Sequence, residues 1–117
     1  MSRIALVAVV LTAAVVLVAQ ALGATTLKIS ADKAALKFNK TFLKAPAGKV
    51  TIVMTNPSAL PHNVAIKRAG LKPVLGKIVL KGGKSTATAT LKKGTYTFFC
   101  SVPGHEAAGM KGTLKVG

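Results

Sequence analysis

The sequence predicts an all-β chain, a Greek-key β-sandwich of about eight short strands, and three observations carry that expectation. Beyond position 24, Gly, Pro and Asn interrupt the chain at short intervals. Between those breaks the residues alternate apolar with polar, or run rich in Val, Ile, Thr and Phe, as half-buried pleated strands require. No stretch of this region keeps helical periodicity for more than two turns. A length of 117 residues suits one core and leaves no room for a second domain.

The chain opens on a different kind of segment. Ser2 and Arg3 give a short positive start, residues 4–19 are apolar, and Gln20, Ala21, Leu22, Gly23 and Ala24 supply the small residues that a signal peptidase needs. Residues 1–24 are therefore expected to be a signal peptide. The alternative is an uncleaved membrane-anchor helix, because residues 4–24 reach the span of about 20 apolar residues that a bilayer requires. Either way, residues 25–117 form the folded domain, and it is expected to be exported: periplasmic, extracellular or at the outer face of the cytoplasmic membrane.

Within that domain residues 25–30 alternate around Leu27 and Ile29, and a second segment starts at 36–38 and runs on toward Phe42 and Leu43. Pro46, Ala47 and Gly48 mark a turn. Residues 49–56 are the clearest strand, with Val50, Ile52 and Met54 on one face and Thr51, Val53 and Thr55 on the other. Asn56-Pro57-Ser58 ends it. Strands are then expected at 64–67, 77–80, 85–91, 95–100 and 111–116, separated by Gly82-Gly83, by Lys92-Lys93-Gly94 and by a loop holding Pro103, Gly104 and Gly109. Residues 69–76 carry no pattern that assigns them.

Charge narrows the function. The chain has 17 Lys and Arg against 2 Asp and Glu, and only Arg3 belongs to the leader, so the domain is strongly basic. Such a field attracts nucleic acid, anionic membrane or acidic protein. Export argues against nucleic acid, as does the scarcity of aromatic residues among the lysines, since single-strand binders stack bases on aromatic side chains. A solvated lysine-rich surface accounts for part of the charge. The partner expected is a protein with an acidic docking surface, with membrane association through the leader or the basic surface, and the chain is expected to be monomeric.

Both histidines, the single cysteine and one of three methionines fall in two places, Pro61-His62-Asn63 and the run from Cys100 to Met110. The second spaces its residues C-x4-H-x4-M, so one loop between two strands can turn a thiolate, an imidazole and a thioether toward one point. His62 can reach the same point from a neighbouring loop. Taken singly, Cys100 would be an inert buried thiol, His62 a loop residue and Met110 core filling. Together they form the set expected of a blue-copper electron-transfer site, two imidazoles and a thiolate with a weak axial thioether. Zinc fits less well, because its structural sites are built from Cys and His without Met.

At these residues a resemblance becomes specific. The run Tyr96-Thr97-Phe98-Phe99-Cys100-Ser101-Val102-Pro103-Gly104-His105-Glu106-Ala107-Ala108-Gly109-Met110-Lys111-Gly112-Thr113-Leu114 resembles the C-terminal ligand loop of the cupredoxins, the blue (type 1) copper family of plastocyanins, azurins and auracyanins. Pro61-His62-Asn63-Val64 is similar to their first-ligand segment. The loop spacing is nearer to auracyanin-like members than to azurins or plastocyanins. The resemblance implies one Cu(I)/Cu(II) ion held by His62, Cys100, His105 and Met110. It makes Cys100 the thiolate ligand, His62 the buried imidazole, His105 the imidazole whose edge reaches the surface and Met110 the distant axial ligand. It implies that Asn63 ties the two ligand loops together, with Ser101 as partner, and that Tyr96 is the tyrosine of a tyrosine corner. Leu60, Pro61, Pro103, Ala107 and Ala108 would flank the metal as an apolar docking patch, with Glu106 a solvated carboxylate at its rim.

The expected function is a one-electron carrier between redox proteins, with a copper-binding or copper-delivery module as the rival. No enzyme is expected. Asp32 and Glu106 make no carboxylate pair for glycoside hydrolysis, and a Cys100-His105 nucleophile would leave His62 and Met110 without roles. Multicopper oxidases need further ligands and domains, and binuclear copper centres need a second cysteine.

Overall fold

A computed structural model describes residues 23–117, together with Ala5. The expected signal peptide or anchor therefore lies outside the described residues, apart from Ala5, Gly23 and Ala24. Among the described residues no helix is long and apolar enough to cross a membrane.

Eight strands form two sheets: β1 (Thr25–Ser30), β2 (Phe42–Ala45), β3 (Gly48–Thr55), β4 (Ala65–Arg68), β5 (Leu71–Leu75), β6 (Lys84–Leu91), β7 (Gly94–Phe99) and β8 (Lys111–Val116). The order is β1-β3-β6 in a three-stranded sheet and β2-β8-β7-β4-β5 in a five-stranded one. β1 runs parallel to β3 and β2 parallel to β8, while the remaining pairs are antiparallel. The β-sandwich expected from the sequence is thus the observed architecture.

Period-two alternation sets which side chains meet between the sheets. Val50, Ile52 and Met54 of β3 are fully buried, and Ile66, Phe98 and Leu114 face them from the larger sheet. Each such side chain contributes about 1.5–3 kcal/mol relative to exposure. On the outer face Thr51 and Thr88 pair across strands through their hydroxyls at 3.0 Å. Phe98 also stacks at 5.5 Å on Phe38, in a tilted arrangement. A Cβ at position 112 would lie 2.3 Å from the Phe98 ring, so Gly112 leaves the space that this ring fills.

Two segments differ from the sequence reading. Residues 77–80 do not form a strand; Val79 alone makes a bridge, to His62. The strand lies earlier, in β5, within the stretch that carried no pattern. Pro73 sits inside β5 and breaks its signal, yet is accommodated because β5 is the sheet edge, where a missing N–H costs no ladder bond. The expected segment from residue 36 to 43 is also divided. Phe38 bridges Ala31, Asn39 is held at Ser30, and β2 begins only at Phe42.

Tyr96 is buried, and its hydroxyl donates to the Lys92 carbonyl at 2.7 Å, which forms the expected tyrosine corner. Replacing Tyr96 with Phe should lower unfolding stability by about 1 kcal/mol, because a part-buried hydrogen bond is lost. Denaturant unfolding of the two proteins measures this, and equal midpoints would refute a stabilising corner.

Candidate metal centre

The site lies where β3 and β7 end and β8 begins. Its first segment is shaped by Asn56, which is almost fully buried just past β3. The Asn56 side-chain amide donates to the carbonyls of Leu60 at 2.8 Å and Val79 at 2.9 Å, while its oxygen accepts the Ser58 N–H. Leu60 N–H in turn donates to Ser58 Oγ. Residues 56–60 are thereby folded into a compact turn that delivers His62. The sequence reading treated Asn56 only as a strand terminator, although Asn-Pro-Ser also signals a side-chain-capped turn.

His62 is pinned through its backbone by a reciprocal pair with Val79, at 3.1 and 2.8 Å. Asn63 fastens this segment to the other ligand loop. Its side-chain oxygen accepts the Ser101 N–H at 2.7 Å, and its amide donates to Ser101 Oγ at 2.7 Å and to the Gly76 carbonyl at 2.9 Å. The link between Asn63 and Ser101 expected from the sequence is therefore present.

The second segment, residues 100–110, braces itself. Cys100 N–H donates to the Met110 carbonyl and Met110 N–H to the His105 carbonyl, both at 3.1 Å, while His105 N–H donates to Val102 at 3.0 Å. Cys100 and Met110 thus stand opposite each other at the loop's neck, with His105 folded back between them. Gly104 and Gly109 take φ of +84° and +113°, conformations that a residue with a Cβ seldom adopts.

These two loops bring His62 Nδ1 within 3.2 Å of His105 Nδ1, and Cys100 Sγ within 3.9 and 3.6 Å of those two nitrogens. His62, Cys100 and Met110 are fully buried and His105 partly so. Two nitrogens about 2.0 Å from one ion at trigonal angles lie about 3.5 Å apart, and each lies about 3.7 Å from a sulfur bound at about 2.3 Å. The observed spacings match that arrangement, so the residues fit a single metal ion.

Glu106 differs from expectation. It is only partly exposed, and Lys67 of β4 donates to its Oε1 at 2.7 Å while lying 4.4 Å over the Phe99 ring. A half-exposed pair contributes at most about 1 kcal/mol. Its effect is positional, since it moors the residue after His105 to the larger sheet. The sequence held no local sign of this pairing across 39 residues.

Burial, and then the neighbouring His105, push the His62 imidazole below its ordinary pKa of 6.5. The neutral ring, which is the metal-binding form, is favoured. Below pH 6.5 the unfolded chain takes up a proton that the folded, metal-free chain resists. Its contribution to stability is therefore present above that pH and is lost as pH falls through the folded value. Metal-free protein should show a falling denaturation midpoint on acidification from 6.5, and His62→Gln should flatten the profile. An unchanged slope in that variant would refute the assignment.

Comparison with known proteins agrees with the geometry. Residues 25–117 match the family model described as copper binding proteins, plastocyanin/azurin family. The chain is similar to the plastocyanin of Scenedesmus fuscus, 32% identical over 98 residues and covering 78% of this chain and 97% of that one. It is 33% identical over 118 aligned positions to chloroplastic plastocyanin B of Populus nigra, covering 93% of this chain and 68% of the relative. Among solved structures, reduced auracyanin from Roseiflexus castenholzii superposes with a TM-score of 0.70 at 29% identity, covering 81% of this chain and 99% of that one. Auracyanin A of Chloroflexus aurantiacus gives 0.69 at 25% identity, covering 81% of this chain and all of its own. The protein is a cupredoxin, a copper protein that carries one electron at a time, and the chain belongs to the plastocyanin/azurin family of copper-binding proteins.

Proposed function

We propose that His62, Cys100, His105 and Met110 hold the copper ion, and that the protein, exported after loss of residues 1–24, moves electrons between redox proteins that dock around His105. One observation carries the reading: the donor atoms of His62, Cys100 and His105 all lie within 4.8 Å of one another. Copper, when bound, supplies the Cu(I)/Cu(II) couple. The chain supplies a soft thiolate and thioether together with two imidazoles, a mixture that disfavours neither oxidation state. Burial of His62, Cys100 and Met110 excludes water, and the braced loops hold the donors in place whichever state is present.

His105 is the ligand with an exposed side, and the surface around it supports docking. Pro103, Ala107 and Ala108 are exposed, and Leu60 is 45% exposed. The bridge at Val79 adds a strip that the sequence reading missed, with Ile78 at 50% and Leu80 at 71% exposure running beside Pro61 and His62. Lys77, Lys81 and Lys84 rim this strip, which suits a partner with acidic residues around an apolar centre. Export is supported by the leader's charge and small-residue pattern, and the division at residue 24 by a family match and a first strand that both begin at Thr25. No observation favours copper delivery.

Adding copper to the purified protein should produce an intense visible charge-transfer band that Cys100→Ser abolishes. Absence of the band in the parent protein, or its survival in the variant, would overturn the ligand assignment. Replacing Leu80 or Ala108 with Asp should slow electron exchange with an acidic partner about tenfold, if roughly 1.4 kcal/mol of docking energy is lost, and leave the absorption spectrum unchanged. Added salt should slow the parent's exchange as well. A rate that is flat or rises with ionic strength would reject charge steering.

A further inference from the structure

The end of the sandwich opposite the metal centre has a chemistry that electron transfer does not use. β1 starts there, with Thr25 in register with Val50, so the chain enters the domain at this end from residues 1–24. Around it stand Lys44, Lys49, Arg68, Lys92, Lys93 and Lys115, all exposed. Neither of the domain's carboxylate side chains is near. Asp32 follows Ala31, which is bonded to Thr55 at the metal end of β3, and Glu106 belongs to the ligand loop.

Two details mark how the cations are placed. Lys44 and Lys115 are direct cross-strand neighbours on the outer face of the larger sheet, and like charges so placed repel. Arg68, the only arginine among the domain's cations, lies 4.7 Å over the Tyr96 ring, with its guanidinium set against Gly94. A Cβ at position 94 would lie 2.2 Å from that guanidinium, so the glycine makes room for it. Among the described residues the Arg68 side chain has no ion-pair or side-chain hydrogen-bond partner. It borders a groove of about 340 Å³ that Lys92, Leu71, Thr90 and Tyr96 also line. A guanidinium held against an aromatic ring, with free N–H groups, suits a phosphate oxygen pair better than a mobile lysine does.

We propose that this end docks on an anionic lipid bilayer, with a headgroup phosphate in the Arg68–Lys92 groove and the remaining lysines over neighbouring headgroups. The bilayer is favoured over an acidic protein because the chain arrives at this end from the apolar run at 4–19. That run inserts in a membrane during export, as a signal peptide or as an anchor. The inference uses the proposed export for that direction alone and is independent of the copper assignment.

The test uses the folded domain, residues 25–117, loaded with copper, in co-sedimentation with two kinds of vesicle: phosphatidylcholine alone, and phosphatidylcholine mixed with phosphatidylglycerol. The parent protein should prefer the mixed vesicles, and salt should erase the preference. Each cation next to an anionic bilayer strengthens binding roughly fivefold, so K49Q/R68Q/K92Q should lose the preference by on the order of a hundredfold. K33Q/K77Q/K81Q, which removes the same charge near the metal end, should lose much less. R68K should fall between parent and triple variant, because it keeps the charge and loses the fork. K44Q/K115Q, which disturbs no packing, serves if the triple variant fails to fold. Equal partition onto both vesicles, or equal loss from the two triple variants, would overturn the proposal. So would tight binding of polyglutamate with no vesicle preference, which would assign this end to an acidic protein. A colourless copper-loaded chain would sink the ligand assignment and leave the vesicle result untouched.

Discussion

Three electron-rich donor atoms, two ring nitrogens and a sulfur, are held face to face at the buried end of the sandwich. These atoms pair only with one another, at 3.2–3.9 Å and in donor and acceptor roles set by the ring tautomers, while His62 Nε2 has no hydrogen-bond partner among the described residues, which is costly where local polarity is low. The rest of the molecule supplies the restraint. Asn63 clamps the two ligand loops together, Asn56 shapes the approach to His62, and the exchange with Val79 fixes the His62 backbone. The donor cluster is thus imposed by the fold, and a metal ion is what relieves it.

That imposition accounts for how the protein works as a carrier. An electron carrier needs ligands that move little when the charge of the ion changes, and movement here would have to break several short bonds at once. Cys100 and Met110 are tied neck to neck, and the left-handed turns at Gly104 and Gly109 let the intervening loop close tightly. Glu106, moored to Lys67, stops the segment after His105 from swinging outward. The small, half-exposed ion pair matters through where it attaches and hardly at all through its energy.

The strand pattern and the metal loop were legible in the sequence because both are local signals. Alternation in residues 49–56 exposes the buried face of β3 directly, and C-x4-H-x4-M places three chemically distinctive residues within one loop. His62 could be added because the chain has only one other histidine. What escaped is long-range or masked. Pro73 hid β5, since a proline within a strand is tolerated only where the edge is already known. The 77–80 segment looked like a strand, yet its backbone meets only His62, and that isolated bridge is what exposes Ile78 and Leu80. The pairing of Lys67 with Glu106 exists only once β4 and the ligand loop have been folded together.

The two ends of the sandwich have different characters because the strands run between them. β3 has eight residues and, at about 3.3 Å per residue, separates the ends by roughly 26 Å. Its first residues neighbour the entry of the chain and the cationic end, and its last lead into Asn56 and the metal loop. A protein fixed at the entry end would therefore present His105 and its apolar surroundings on the side away from the attachment, where a soluble partner can reach them. On that reading the lysines serve both ends without conflict, because exposed charges separated by more than a Debye length of about 8–10 Å act largely independently. One strongly basic surface can then steer a partner at one end while meeting a different anionic surface at the other.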